Sequence, residues 1–255
     1  MRPCVTPPIL IGDVELGGRK PVFCVPLVAS DLQQLLSQAN VAQQVDADVV
    51  EWRVDSYSDL SDSSVLEAAR ALRSVTDRRP ILFTLRIKAE GGARQISQDV
   101  RAQCIHTALR SGLVDIVDVE LCNGPQFLQP IIEAAHHRAV RVVLSYHDFE
   151  STSGNDVLFE RISEMIRQGA DIAKIACMPR QPEDVLRLLH ATLTARQAFP
   201  GVPLCTMSMG ELGSWSRVVG FLYGSDMAFA VGQEASAPGQ IPIAKARAMA
   251  ETLFG

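Results

Sequence analysis

Residues 171–177 read Asp-Ile-Ala-Lys-Ile-Ala-Cys, a short apolar run that carries a single lysine near its centre. A run of this length and composition predicts a strand that is buried on both faces of a parallel sheet. Seven more such runs occur along the chain, and the eight predicted strands are 22–28, 49–54, 81–85, 116–121, 140–144, 172–176, 204–207 and 227–231. Eight parallel strands are typical of an α/β barrel.

The stretches between these runs have the apolar spacing of amphipathic helices. Ser30-Asp31 precedes one of them and Pro182 opens another, which are ordinary helix start signals. Gly112 and Gly169 follow two others directly, as a helix stop signal does. Strands alternating with helices predict βα units around a parallel sheet.

The N-terminal part of the chain predicts one additional feature. Two short apolar runs, 9–11 and 14–16, flank Gly12-Asp13 and indicate a β-hairpin that closes the N-terminal end of the barrel. No linker, repeat or low-complexity tract interrupts the rest of the sequence. We therefore expect residues 1–255 to form one (β/α)8 TIM barrel catalytic domain.

Composition and charge exclude several classes of protein. The 24 Lys and Arg residues against 29 Asp and Glu give a net charge of −5, so no basic field exists for a nucleic acid partner. No run of about 18 apolar residues occurs, and no apolar segment follows a basic start, so we expect no membrane association and a cytoplasmic protein. The six cysteines include no C-x-x-C pair and are expected to be reduced thiols.

In an α/β barrel, the active site is built at the carboxyl ends of the strands and in the loops that follow them. Polar side chains gather at these positions in this sequence. They occur in Glu51-Trp52-Arg53-Val54-Asp55, in Arg86 and Glu90-Gly91-Gly92, in Asp118-Val119-Glu120, in Ser145-Tyr146-His147-Asp148-Phe149, and in the loops that carry Arg217, Ser236 and Gln240.

Lys174 is the most informative of the polar residues, because its strand is otherwise apolar. One interpretation is a structural ion pair with an inward carboxylate such as Glu51 or Glu120. The other is an imine-forming lysine, since desolvation and neighbouring arginine charges favour the neutral, nucleophilic amine. The residues alone leave both interpretations open.

His147 ends the strand beside that of Lys174, and histidine is the side chain best suited to take and give protons near neutral pH. Glu90 could orient His147 and select its tautomer, or could be a charge at a loop tip. The other four histidines, His106, His136, His137 and His190, fall in helical stretches and are expected to face solvent.

Arg53, Arg86 and Arg217 come from three separate segments and are expected to converge on one mouth of the barrel. Guanidinium groups there indicate an anionic substrate, such as a carboxylate or a phosphate. The carboxylates Glu51, Asp55 and Glu120 could pair with these arginines, pair with Lys174 or accept substrate hydroxyls. The predicted apolar walls are Met207, Met209, Phe149 and Phe229, although plain core packing would explain them equally well.

Several common motifs are absent, including G-x-G-x-x-G, G-x-x-x-x-G-K-[ST], H-E-x-x-H and G-x-S-x-G. Nucleotide cofactors and serine-hydrolase chemistry therefore lose their usual support. A divalent metal could be held by oxygen and nitrogen ligands from Glu51, Asp55, Glu120, His147 and Asp148. The lysine and the three arginines make such a site electrostatically poor.

Taken together, these segments resemble the type I 3-dehydroquinate dehydratases over nearly the whole chain, from about Pro21 to Ile243. The stretches that carry the resemblance are 51–55, 83–86 with 90–92, 145–149, 174–176, 206–209 and 236–240. The family resemblance implies a cofactor-free, metal-free lyase of the shikimate pathway that dehydrates 3-dehydroquinate to 3-dehydroshikimate through an imine.

The resemblance also implies a role for each matching residue. Lys174 matches the Schiff-base lysine, His147 the proton-shuttling histidine and Glu90 the carboxylate that supports this histidine. Glu51, Arg53, Arg86, Arg217, Ser236 and Gln240 match substrate-binding positions, with Arg217 the expected partner of the substrate carboxylate. Two residues depart from the family pattern: Pro26 stands where some members have a substrate-binding serine, and Tyr146 stands where some have asparagine.

Two other functions remain as alternatives. A class I aldolase acting on a carboxylated, sugar-like substrate would also use a barrel lysine and an acid/base, and residue spacing does not separate it from a dehydratase. A catalytically silent barrel that senses a carboxylate metabolite is disfavoured by the complete set of lysine, histidine and arginines.

The sequence does not distinguish a role in aromatic amino-acid biosynthesis from one in quinate breakdown. Because family members are often dimers, a homodimer is expected.

Overall fold

The computed structural model describes residues 3–5, 7–233 and 236–254. It contains two short antiparallel strands, β1 (Ile9–Ile11) and β2 (Val14–Leu16), followed by eight strands of one sheet. These eight strands are β3 (Val22–Leu27), β4 (Val49–Arg53), β5 (Ile81–Thr84), β6 (Ile116–Glu120), β7 (Arg141–Asp148), β8 (Ile172–Cys177), β9 (Leu204–Ser208) and β10 (Met227–Phe229).

Helices lie between the strands, as the apolar spacing predicts. They are α1 (Leu32–Gln44), α2 (Asp62–Thr76), α3 (Gln98–Ser111), α4 (Pro125–His136), α5 (Asn155–Arg167), α6 (Pro182–Ala198), the short α7 (Gly210–Gly213) and α8 (Ser216–Val219), and α9 (Ile243–Phe254). Asp31 caps α1 by accepting a hydrogen bond from the Gln34 backbone, and Gly112 ends α3 with a left-handed φ of 68°. None of the helices in the described part of the chain is long and apolar enough to cross a bilayer.

The sheet order is β10-β3-β4-β5-β6-β7-β8-β9, and every neighbouring pair is parallel. The last gap is nearly closed, because the Asp226 backbone N–H, just before β10, donates to the Leu204 carbonyl of β9 at 2.6 Å. The predicted (β/α)8 TIM barrel is therefore confirmed. The predicted hairpin is also confirmed, and its Ile11 and Leu16 pack against residues at the starts of the strands, such as Val22 and Val49.

Two strands end more than one residue away from the predicted position. β7 continues four residues past the predicted end at 144, and His147 and Asp148 pair with Ala176 and Cys177 of β8. His147 therefore lies on a strand, and the pairing of β7 with β8 positions its backbone. β10 stops at Phe229, two residues before the predicted end, although Val231 still forms an isolated bridge with Pro242.

The interior of the barrel changes from apolar to charged along the strand direction. Side chains alternate between the two faces of a strand, and in an eight-stranded barrel each interior layer takes its residues from alternate strands. The two lower layers are apolar and contain Val49, Ile116, Ile172 and Met227, then Cys24, Leu82, Val143 and Cys205. The next layer from β4, β6, β8 and β10 contains Glu51, Asp118, Lys174 and Phe229, where the chemistry begins.

Candidate active site

A cavity opens at the carboxyl ends of the strands, with about 470 Å³ of empty space when the open solvent at its mouth is included. It is lined by all the residues to which the resemblance assigns a role and by the four predicted apolar-wall residues, but not by Asp55 or Glu120. The lining includes Glu51, Arg53, Arg86, Glu90, His147, Phe149, Lys174, Met207, Met209, Arg217, Phe229, Ser236 and Gln240. Eight parallel strands bring their carboxyl ends to one face of the barrel, which explains how segments far apart in sequence meet here.

Lys174 projects from β8 into the charged layer and is 3% exposed. Its Nζ lies 2.8 Å from Asp118 Oδ2, 3.8 Å from Glu51 Oε1 and 4.2 Å from the centre of the Phe229 ring. Of the two carboxylates suggested from the sequence, Glu51 is a distant partner, and Glu120 pairs with arginines instead. The closest partner is Asp118, because β6 and β8 contribute to the same interior layer.

Arg86 fills the space between the carboxylates of β6. Its Nη2 donates to Asp118 Oδ2 at 2.7 Å, while its Nη1 donates to Glu120 Oε1 at 2.9 Å and to Ser145 Oγ at 2.7 Å. Ser145 in turn donates to the other oxygen of Asp118 at 2.6 Å. Both terminal nitrogens of Arg86 therefore hold protein groups in place, in addition to facing the cavity.

These contacts determine the charge states of Asp118 and Arg86. Burial alone would raise the pKa of Asp118, but the charges of Arg86 and Lys174 outweigh it and hold the pKa well below its usual range. Burial would lower the pKa of Arg86, yet Asp118 and Glu120 raise it above its ordinary value. Asp118 is therefore a carboxylate, and Arg86 a cation, throughout the physiological pH range.

His147 and Glu90 form a second pair in the cavity. Glu90 Oε2 lies 3.0 Å from His147 Nδ1 and also accepts the His147 backbone N–H at 2.9 Å. A carboxylate at Nδ1 fixes the tautomer with a proton on Nδ1 and leaves Nε2 as the proton acceptor. The Cys122 side chain, which follows β6, also hydrogen-bonds to Glu90.

The surroundings shift both members of this pair. Burial raises the pKa of Glu90 to about 7, against the lowering effect of the Arg86 charge. Burial lowers the pKa of His147 well below its ordinary value, and the charges of Arg86 and Lys174 lower it further. A neutral imidazole at pH 7 is the form that can accept a proton.

Arg217, on α8, is 2% exposed and stands apart from the acidic cluster. It donates to the carbonyls of Gly239 and Pro238, each at 3.0 Å, and its Nη1 lies 3.1 Å from Met207 Sδ. No carboxylate contacts it among the described residues, and burial lowers its pKa to about 10. A buried cation without an anionic partner is suited to bind an anionic ligand group.

The third predicted arginine is occupied differently. Arg53 forms a two-point ion pair with Asp55, at 2.9 and 2.8 Å, and Asp55 also accepts the Ala93 backbone N–H at 2.8 Å. This pair ties the loop after β5 to β4. Asp55 therefore faces away from Lys174, although the sequence left a pairing between these two residues open.

The rim of the cavity is formed by loop residues. Gln240 Oε1 accepts the Ser236 backbone N–H at 2.9 Å, and Gln240 Nε2 donates to Ser236 Oγ at 3.1 Å. Phe149, 38% exposed, lies directly against Gly91, where even an added Cβ would come within 2.5 Å of its ring. Met207, Met209 and Phe229 are buried and form the apolar wall.

The two residues that depart from the family pattern lie in different places. Pro26 is buried in β3 at the register position opposite Glu51, so no hydroxyl is present at that point of the interior. Tyr146 points away from the cavity, with the Arg161 guanidinium 3.8 Å above its ring and its hydroxyl 3.2 Å from Asp148.

The metal alternative finds no support in the geometry. Among the described residues, no group of three or more His, Cys, Asp or Glu side chains is arranged to hold a metal ion. The proposed ligands are directed elsewhere: Asp55 to Arg53, Glu120 to Arg86, and Asp148 to the backbone N–H groups of residues 150 and 151.

The sequence places Asp118 and Ser145 among the polar residues at the strand ends but assigns neither a role in the site. Both could have been found, since Asp118 and Glu120 are two residues apart and must face the same side of β6. Ser145 likewise has the same orientation as His147 on β7. The assembled site places a lysine beside a carboxylate, a neutral imidazole and a buried cation, which together suit imine chemistry on an anionic carbonyl compound.

Known proteins resemble this chain in sequence and in structure. The family model described as type I 3-dehydroquinase matches residues 23–255. The 3-dehydroquinate dehydratase of Klebsiella pneumoniae is 40% identical over 250 residues, covering 98% of this chain and 100% of the relative. That of Bacillus licheniformis is 40% identical over 234 residues, covering 91% and 92%. The solved 3-dehydroquinate dehydratase of Geobacillus kaustophilus has a TM-score of 0.96 at 37% identity, covering 99% of this chain and 98% of that one.

Proposed function

The chain belongs to the type I 3-dehydroquinase family, which dehydrates 3-dehydroquinate in the shikimate pathway, and we propose that it acts through an imine on Lys174 with His147 as the acid/base. The observation that carries the proposed mechanism is the position of Lys174. Its amine is buried at the base of the cavity beside Asp118, with the neutral imidazole of His147 lining the same space.

Substrate binding begins with charge. The substrate's carboxylate is placed against Arg217, because this buried guanidinium has no carboxylate partner in the described part of the chain. Glu51, Arg53, Arg86, Ser236 and Gln240 border the remaining space and are proposed to contact the ring hydroxyls, with Met207, Met209, Phe149 and Phe229 enclosing the apolar edge. The displacement of water from this cavity strengthens the contact between carboxylate and guanidinium.

Imine formation requires a neutral amine. Lys174 loses a proton and attacks the substrate ketone carbon, and the resulting carbinolamine loses water to give the imine. His147 Nε2 accepts and returns the protons in these steps, while Glu90 at Nδ1 stabilises the transient imidazolium.

The dehydration then follows on the imine. The protonated imine withdraws electrons from the adjacent carbon, so the neutral His147 can remove a proton there. The neighbouring C–O bond breaks as the hydroxyl leaves with a proton from His147, which restores the neutral imidazole. Water finally hydrolyses the imine, releases 3-dehydroshikimate and restores the lysine amine.

The proposed mechanism predicts one covalent adduct on one residue. Sodium borohydride reduces an imine to a stable secondary amine, so incubation with 3-dehydroquinate and borohydride is expected to add one ligand mass, mapped by peptide analysis to Lys174. Lys174→Ala is expected to abolish both the adduct and turnover while remaining folded. Lys88→Ala removes an exposed lysine near the mouth of the cavity and is the matched control.

An adduct-free wild-type protein that still turns over substrate would contradict the imine, as would substantial dehydration by Lys174→Ala. The product separates this function from the aldolase alternative, since dehydration yields a conjugated enone that absorbs in the near ultraviolet, whereas an aldolase splits a C–C bond.

We also propose that residues 1–255 form a single domain, that the protein is cytoplasmic, and that it works without a metal or an organic cofactor. The family's usual assembly supports a homodimer. Light scattering after size exclusion is expected to give twice the chain mass of 27.7 kDa. A monomer at micromolar concentration would contradict the proposed assembly without affecting the proposed chemistry.

A further inference from the structure

Glu120, at the end of β6, lies between two buried arginines and is 1% exposed. One carboxylate oxygen, Oε1, accepts from Arg86 Nη1 at 2.9 Å and from the Ile87 backbone N–H at 3.0 Å. The other oxygen, Oε2, accepts from Asn123 Nδ2 at 3.1 Å and lies 3.6 Å from Arg101 Nη1. Each oxygen therefore depends on a different set of partners.

Arg101 and Asn123 do not line the cavity. Arg101 lies on α3, is 6% exposed, and its guanidinium lies 4.9 Å above the Phe127 ring. Its Nη2 donates to Asn123 Oδ1 at 2.7 Å, and Asn123 Nδ2 donates to the Glu120 carbonyl at 2.8 Å as well as to its carboxylate. The asparagine amide is thus fixed from both sides, with its hydrogens directed at Glu120.

The buried charges around the Lys174 amine form a row in which the sign alternates. A chain of contacts between 2.7 and 3.8 Å runs Glu51, Lys174, Asp118, Arg86, Glu120 and Arg101. Three cations thus balance three carboxylates. Arg101 is the terminal cation, and its removal would leave the buried chain with one uncompensated negative charge.

We propose that Arg101 and Asn123 are positioning residues for the dehydration reaction. They hold Oε2 of Glu120, so that Oε1 keeps Arg86 oriented, and Arg86 in turn keeps Asp118 in contact with Lys174. This proposal rests on the proposed function, since it assigns a role to groups that act through the Lys174 amine.

The physical reason is that a buried carboxylate oxygen without a donor has lost its hydration and gained nothing in exchange. Without its outer donors, Glu120 would rotate to find others, and Arg86 would lose its aligned partner. The larger effect is expected in kcat, because Arg217 anchors the substrate's carboxylate independently and lies outside this chain of charges. A smaller effect on KM is expected because Arg86 also borders the substrate.

The test compares Arg101→Met, Arg101→Lys and Asn123→Ala with the wild type. Methionine keeps an unbranched apolar stem against Phe127 but removes the charge, whereas lysine keeps the charge. We expect Arg101→Met and Asn123→Ala to lower kcat, and the rate of borohydride-trapped adduct formation on Lys174, by about tenfold, with KM changed less than about threefold. Arg101→Lys is expected to recover most of the lost rate.

Arg196→Met is the matched control. Arg196 is also a buried arginine on a helix and pairs with a carboxylate, Asp226, but at the opposite end of the barrel. The Arg196→Met substitution should lower thermal stability and leave kcat per folded molecule unchanged. Asn123→Ala removes a small, half-buried side chain and keeps the test informative if Arg101→Met does not fold.

Wild-type kcat in Asn123→Ala and in folded Arg101→Met would overturn the proposal. The same conclusion would follow if Arg101→Lys were no faster than Arg101→Met, because packing rather than charge would then explain the loss. These outcomes are distinct from a failure of the proposed function, which would appear as the absence of any Lys174 adduct in the wild-type protein.

Discussion

Glu90 shows how a single buried carboxylate can cost stability and yet serve catalysis. It is 7% exposed, and one of its oxygens accepts both the backbone N–H and the Nδ1–H of His147. Burial raises its pKa from 4.5 to about 7, although the Arg86 charge acts in the opposite direction. The ionised form that supports an imidazolium is therefore the form that the folded protein disfavours.

The raised pKa predicts a pH-dependent effect of Glu90→Gln. Because the folded-state pKa lies above the unfolded value, the wild-type side chain contributes stability below pH 4.5 that is lost as the pH rises through about 7. Glutamine does not titrate, so the variant does not lose this contribution. Its free energy of unfolding, relative to that of the wild type, should therefore increase from pH 5 to pH 8. At the same time kcat should fall, by about tenfold or more.

Urea unfolding of both proteins at the two pH values measures the stability difference, and steady-state kinetics measures kcat. Glu133→Gln, at an exposed position of α4, is the control. An equal difference in unfolding free energy at pH 5 and pH 8 would disprove the interpretation of Glu90 as a carboxylate strained by burial.

Among the structural elements, the loop after β5 carries two parts of the site within a few residues. Arg86 begins it and Glu90 lies at its turn, while Asp55 accepts backbone N–H groups from Arg86 and Ala93 and so pins both ends. At Gly92 the backbone passes so close to this strand end that an added Cβ would lie 2.1 Å from the Arg86 carbonyl oxygen. Only glycine allows this approach.

Gly92→Ala is therefore expected to displace the loop and lower kcat/KM by about tenfold or more, since small misplacements of catalytic groups are costly. The matched control is Gly154→Ala, at the start of α5, where φ is −62° and no atom lies within 4 Å of the added Cβ. Kinetics and thermal unfolding of both variants decide the outcome. If kcat/KM were the same in the two variants, the loop backbone would not be what positions Glu90.

At the scale of the whole molecule, the barrel closes between β9 and β10. Asp226 is fully buried there, pairs with Arg196 on α6 and accepts the Leu204 backbone N–H at 2.8 Å. The contact lies near the starts of the strands, at the end of the barrel away from the cavity. The cavity and the contact that closes the barrel therefore lie at opposite ends of the barrel axis.

Asp226→Asn should lower the free energy of unfolding by about 3 kcal/mol or more, because it removes the negative charge from a buried ion pair. Turnover per folded molecule should stay at the wild-type value. Urea titrations with active-site counting by borohydride trapping measure both quantities. A parallel loss of kcat would show that barrel closure and the active site are coupled, contrary to this expectation.

Both the fold and the residues that line the cavity could be predicted from the sequence. Eight apolar runs separated by helical periodicity indicate a parallel barrel because each pattern is local, with a period of two or of 3.6 residues. In such a barrel, the polar residues at strand ends must meet at one face. The barrel topology by itself therefore brings Glu51, His147 and Lys174 to the same cavity.

Only the tertiary structure decided which of these polar groups are partners. The stagger of the strands around the barrel sets which inward residues share a layer, and it places Asp118, rather than Glu120, beside Lys174. The packing of α8 at the mouth of the barrel likewise leaves Arg217 without a carboxylate among the described residues. Such pairings are non-local and depend on ångström distances, whereas local periodicity specifies only the face on which each side chain lies.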